Sequence, residues 1–142
     1  MLLKIHPESG FLKVDVTGKF SLKEAKRTFL EILEAVAQHK MRKVLFDGRG
    51  LMGEPKTIER FYYGEFAAET VVKLVYRSLS FAPQFAYVLE EPVLDPQRLG
   101  ETVAVNRGMD VKAFDNLEDA LGWLGIAPAK KSRKQDMAKS RA

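Results

Sequence analysis

Lys43-Val44-Leu45-Phe46-Asp47-Gly48-Arg49-Gly50-Leu51-Met52-Gly53 is a short apolar run that stops at an acid and three glycines before a long helical pattern begins. It reads as a buried strand over Lys43 to Asp47, a glycine-lined corner over Asp47 to Gly53, and then a helix. In open α/β sheets that junction gathers binding residues. The stretch therefore marks a place for recognition, although no catalytic or metal-ligating constellation accompanies it.

Upstream, Leu2 to His6 and Phe11 to Val16 are strand-like runs joined by the polar turn Pro7-Glu8-Ser9-Gly10, which predicts a hairpin. Leu12, Val14 and Val16 share one face and Lys13 and Asp15 the other, the period of a strand with one wet side. Ser21-Leu22-Lys23-Glu24 has the spacing of a capping box, and the helix after it repeats Leu22, Ala25, Phe29, Ile32, Leu33 and Val36. Downstream, Pro55 suits a first helical turn. The apolar segment from Ile58 to Leu79 is one long helix or two broken at Gly64.

Gln84 to Leu89 reads as a strand, and Asp95-Pro96 as the start of a helix running toward Arg107 with Gly108 as its stop. Val111 to Phe114 is the last strand, and Asn116 caps a final helix that Gly125 ends. The order β-β-α-β-α-β-α-β-α predicts a mostly parallel sheet with an antiparallel edge strand. Val44-Leu45-Phe46 and Phe85 to Leu89 are apolar on both faces, so the central strands should be covered on both sides. The Ile58 to Leu79 segment, or a second subunit, is the expected cover of the second face.

With 142 residues, 46% of them hydrophobic, the chain suits one domain. The absence of cysteine excludes disulfides, thiolate metal sites and cysteine nucleophiles. No apolar run approaches a membrane span, and a soluble, cytoplasmic protein is expected. The net charge of +4 is unevenly spread: residues 130–142 carry six basic residues and one acid, leaving −1 for residues 1–129. Residues 1–126 are thus expected to form the domain and residues 127–142 a basic, disordered tail. That tail alone offers a contact for nucleic acid, which is not an expected partner.

Several of these passages together resemble a known family. Gly18-Lys19-Phe20-Ser21, Lys43-Val44-Leu45-Phe46-Asp47, Asn106 to Phe114 and Leu117-Glu118-Asp119-Ala120-Leu121-Gly122-Trp123-Leu124 look like the SpoIIAA-like proteins of the STAS (anti-sigma-factor antagonist) superfamily. The resemblance implies a singly wound mixed sheet of about five strands with helices mainly on one face, a fold shared with the lipid-binding half of CRAL-TRIO proteins. It also implies a bacterial-type regulatory module that binds a protein partner and self-associates as a homodimer. In antagonist members the loop after the central strand reads Asp-Ser-Ser-Gly-Leu-Gly and a serine is phosphorylated. Here Asp47, Gly50, Leu51 and Gly53 match, but Gly48 and Arg49 stand where the serines would be.

Asp47, Gly48, Arg49 and Gly50 are accordingly the candidate partner- or anion-binding residues. A guanidinium beside a helix start can clamp a phosphate or carboxylate, or it can simply pair with Asp47 or Glu54. Phe61, Tyr62, Tyr63 and Phe66 form an aromatic cluster that either lines an apolar ligand pocket, with Phe61, Tyr62 and Phe66 as its candidate residues, or is plain core packing. Glu65 and Glu69 share a helix face and read as acid–base groups or as a solvated side. No catalytic residue, metal or cofactor is expected. The leading function is a non-enzymatic interaction module without the phosphoacceptor serine, and the alternative is a carrier or sensor of a small apolar or anionic, lipid-like ligand.

Overall fold

A computed structural model describes residues 1–126; the basic segment expected as a tail lies outside the described residues. Five strands, β1 (Leu2–Pro7), β2 (Leu12–Lys19), β3 (Lys43–Met52), β4 (Gln84–Val88) and β5 (Asp110–Phe114), lie in one sheet in chain order. β1 is antiparallel to β2, and every later pair is parallel. The helices are α1 (Leu22–His39), α2 (Thr57–Arg77), α3 (Leu99–Asn106) and α4 (Leu117–Leu124). The mostly parallel sheet with an antiparallel edge predicted from the pattern, and the singly wound order implied by the resemblance, are both present.

The crossovers α1, α2 and α3 each step one strand in the same direction, so a common handedness places them on one face. There Leu12, Val14 and Val16 of β2, Val44 and Phe46 of β3, and Phe85 and Tyr87 of β4 meet Phe29, Ile32 and Val36 of α1 and Ala67, Ala68 and Val71 of α2. Alternate residues of the central strands, Leu45, Ala86 and Val88, point the other way, where with Phe114 they bury against Ala120 and Leu124 of α4. α4 follows the last strand and owes no crossover, so it is free to fold onto the opposite face. The expectation that α2 would cover that face is therefore corrected: α2 packs on the first face and α4 covers β3, β4 and β5.

Local signals hold in part. Asn116 Oδ1 accepts the Asp119 N–H at 2.8 Å, and Gly125 closes α4 with φ +73°. Ser21 Oγ accepts the Glu24 N–H at 3.3 Å, but Glu24 does not return the bond, because its carboxylate meets the Met1 ammonium instead. Pro55 precedes α2, whose first turn is closed by Glu59 accepting the Lys56 N–H at 2.8 Å. Asp95 heads α3 from a distance: its carboxylate accepts N–H groups of Gln97 and Leu99, and the helix begins at Leu99.

α2 is unbroken at Gly64. That glycine is a contact point, since a Cβ there would lie 2.5 Å from the Gly100 carbonyl oxygen of α3. No helix among the described residues is long and apolar enough to cross a membrane.

Candidate functional site

The segment expected as a corner is strand. Asp15 of β2 pairs with Asp47 of β3, and the next partners are Thr17 and Gly50. β3 thus fits three steps against two, a β-bulge at Gly48 and Arg49, which bends the strand and re-aims its side chains. Pairing then resumes through Leu51 and Met52, and the Phe20 N–H closes onto the Met52 carbonyl at 2.8 Å.

Steric fit explains two of the glycines. A Cβ on Gly48 would meet Leu89, Phe46 and Leu51 at 2.7 to 3.0 Å, and one on Gly50 would meet the Thr17 methyl at 2.7 Å. Gly48 faces the helix-covered side, whereas Arg49 and Asp47 face the other.

On that other side α4 covers β3 at Leu45, while β1, β2 and the Asp47–Arg49 part of β3 present a charged surface. Arg49 Nε and a terminal nitrogen bind the two Asp47 oxygens at 2.9 and 2.7 Å, and the Arg49 N–H adds a 3.2 Å bond. Asp15, abreast of Asp47 in the register, takes Lys13 at 2.7 Å and His6 at 3.2 Å. Two carboxylates side by side on adjacent strands repel, and each is answered by its own cation. The Arg49 hydrogen bond holds the Asp47 carboxyl below the usual aspartate range and raises the guanidinium in turn. The candidate residues Asp47, Gly48, Arg49 and Gly50 therefore come together on a bulged strand, with Arg49 in a bidentate ion pair with Asp47 instead of on a loop.

The aromatic candidates do not form a pocket together. Phe61 lies under the Arg107 guanidinium, Tyr62 is exposed, and Phe66 lies under the Lys26 ammonium. A cavity of about 140 Å³ does open between α2, α3 and the first sheet face, but none of these three lines it. Tyr63 and Tyr87 do, with their hydroxyls 2.6 Å apart. Burial pushes both phenols well above the ordinary tyrosine value, and each lies beside the other. Sequence reasoning counted Tyr63 in the aromatic cluster but missed Tyr87 as its partner; the available signal was a tyrosine at an inward position of the apolar strand Phe85-Ala86-Tyr87-Val88, whose hydroxyl requires a partner. Glu65 meets Arg107 at 3.4 Å and Glu69 is exposed, which makes them a solvated helix side.

A singly wound α/β module with an open, charged sheet face is thus defined. No protein-family model matches the chain, and no curated protein does. Among solved structures, an anti-sigma factor antagonist from Mycobacterium paratuberculosis is similar, with a TM-score of 0.52 and 15% identity over 86% of this chain and 92% of that one. At that identity the likeness is one of fold, and it agrees with the STAS-type sheet expected from the sequence.

Proposed function

We propose that this chain is a non-enzymatic, regulatory protein-interaction module that docks partners on the open face of β1 to β3, with Arg49 at its centre. The observation that carries the reading is the Asp47–Arg49 pair, fixed by three hydrogen bonds on a face that α4 leaves uncovered. A positioned guanidinium beside Lys13 and His6 suits an acidic or carbonyl-rich protein surface. The fold shared with an anti-sigma factor antagonist supports the same class of role. Because Gly48 and Arg49 carry no hydroxyl, control by phosphorylation at this position is not part of the proposal. Homodimerisation through the same face is.

Site-specific photo-crosslinking tests it. A photoreactive residue at Lys13 or Thr17, on the open face, should give discrete adducts in cells of the source organism, including one at the mass of a dimer. The same residue at Leu30, exposed on α1, should give none, and adding Arg49→Ala should abolish the open-face adducts. Adducts of equal yield at all three positions, or none from the open face, would overturn the proposal.

A further inference from the structure

We propose that the cavity between α2, α3 and the inner face of β3 to β5 binds a neutral, single-ring-sized apolar molecule bearing one hydrogen-bond acceptor, which the Tyr63–Tyr87 hydroxyl pair engages. This site is separate from the open face and stands independently of the docking role.

Size comes first. At about 140 Å³ the space is comparable to an apolar cavity of about 150 Å³ that stays dry and admits benzene. Phe46, Leu51, Leu89, Ala104 and Val111 supply an apolar wall, so the natural occupant is a ring with a small substituent.

Polarity narrows the class. Two hydroxyls joined by one hydrogen bond consume one of their two protons as donors. Among the described residues neither Tyr63 nor Tyr87 has a second partner, so one O–H is left to donate at the cavity. Tyr87 is only 8% exposed, and an unmet buried donor is costly.

The charged groups at the cavity are already committed. Arg60 donates to the carbonyls of Pro92 and Val93 at 2.7 and 2.8 Å. Asp95 accepts from Gln97 and Leu99, Arg98 donates to the Asp95 carbonyl, and Glu101 accepts from Ala113. The ammonium of Met1, which also lines the cavity, is taken by Glu24, so the remaining two cations and two anions leave no net charge to attract an ion. The burial that raises both phenols would likewise disfavour a carboxylate. A single acceptor such as a carbonyl or ether oxygen is what remains.

The test uses the full chain and two probes of the same shape, acetophenone and α-methylstyrene, which differ by a carbonyl oxygen in place of a methylene. Amide NMR titration should show saturable, millimolar binding of both, with shifts centred on Tyr63, Tyr87 and Ala104. In Tyr63→Phe/Tyr87→Phe the ratio of the two affinities should move by about fivefold toward the hydrocarbon, the equivalent of one hydrogen bond. Ala67→Met, which fills the space without adding a polar group, should abolish both sets of shifts. An unchanged ratio in the double variant refutes the role of the hydroxyls. Absence of saturable shifts at the cavity in the unsubstituted chain refutes the site, and that measurement needs no variant to fold.

Discussion

Replacing Gly64 by alanine sets two known effects against each other. In an exposed helix interior the change is favourable by about 0.8–1 kcal/mol. Within α2 the added methyl would lie 2.5 Å from the Gly100 carbonyl oxygen and 3.2 Å from its carbon, where ordinary contact begins at 3.4 Å. The obstructing atoms are backbone and they are tethered: Asp95 holds the head of α3 through the Leu99 N–H, and Glu101 ties α3 to β5 through the Ala113 N–H. The helices must part, and overpacking of this kind costs about 1–3 kcal/mol. The expected net result is a loss of up to about 2 kcal/mol after the propensity gain.

Gly122→Ala is the control, because this exposed α4 glycine has nothing within 4 Å of a new Cβ. It should gain up to about 0.5–1 kcal/mol. Urea unfolding reads both as midpoint shifts of opposite sign at a common slope. If Gly64→Ala raises the midpoint as Gly122→Ala does, α2 and α3 do not meet at these glycines, and the cavity they enclose is wrongly drawn.

Asp47→Asn should lower stability at neutral pH by about 0.5–1 kcal/mol, since solvent screens the half-exposed Arg49. The Asp47 pKa is lowered by folding, so its contribution is whole above the ordinary aspartate value near 3.9 and fades as pH falls through the folded one. The substituted protein should therefore lose less stability on acidification, as read by unfolding midpoints across pH. Asn116→Ala should cost about 1 kcal/mol through the lost cap on α4, measurable by thermal denaturation. Tyr63→Phe and Tyr87→Phe should each cost about 1 kcal/mol by orphaning the other hydroxyl, while the double variant costs less than their sum; additive losses in urea would refute the paired geometry. Both phenols are raised on folding, so stability should fall as pH rises above about 10, and less so in the double variant.

Topology was legible in the sequence because its signals are local. The hairpin turn, the Asn116 cap, the glycine stops and the double-sided apolarity of Val44 to Phe46 each act over a few residues. What escaped depends on partners far along the chain. Glu24 has capping-box spacing, yet the Met1 ammonium competes for its carboxylate. Gly64 looks like a helix breaker until Gly100 is set against it. The segment from Ile58 is apolar enough to cover either face, and only the winding direction decides. Tyr63 belongs to an aromatic cluster from which Phe61 and Tyr62 turn elsewhere, because helical spacing sends adjacent residues to different sides, while Phe66, one turn on, packs on the same core without lining the cavity.

The bulge shows why the segment after Asp47 reads as a corner in the sequence and is strand in the structure. Glycines punctuate loops through backbone freedom, but at Gly48 and Gly50 the requirement is room: the side chains of Phe46, Leu51 and Leu89 fill one position and Thr17 the other. Removing two side chains lets β3 stay paired with β2 while gaining a residue, and that extra residue delivers Arg49 to the open face with its guanidinium fixed on Asp47. An arginine on a flexible loop would lose its conformational freedom on meeting a partner, whereas one whose guanidinium already makes two hydrogen bonds to Asp47 has less to lose. The same glycines that suggest a loop in the sequence therefore let β3 remain a strand and bring Arg49 onto Asp47.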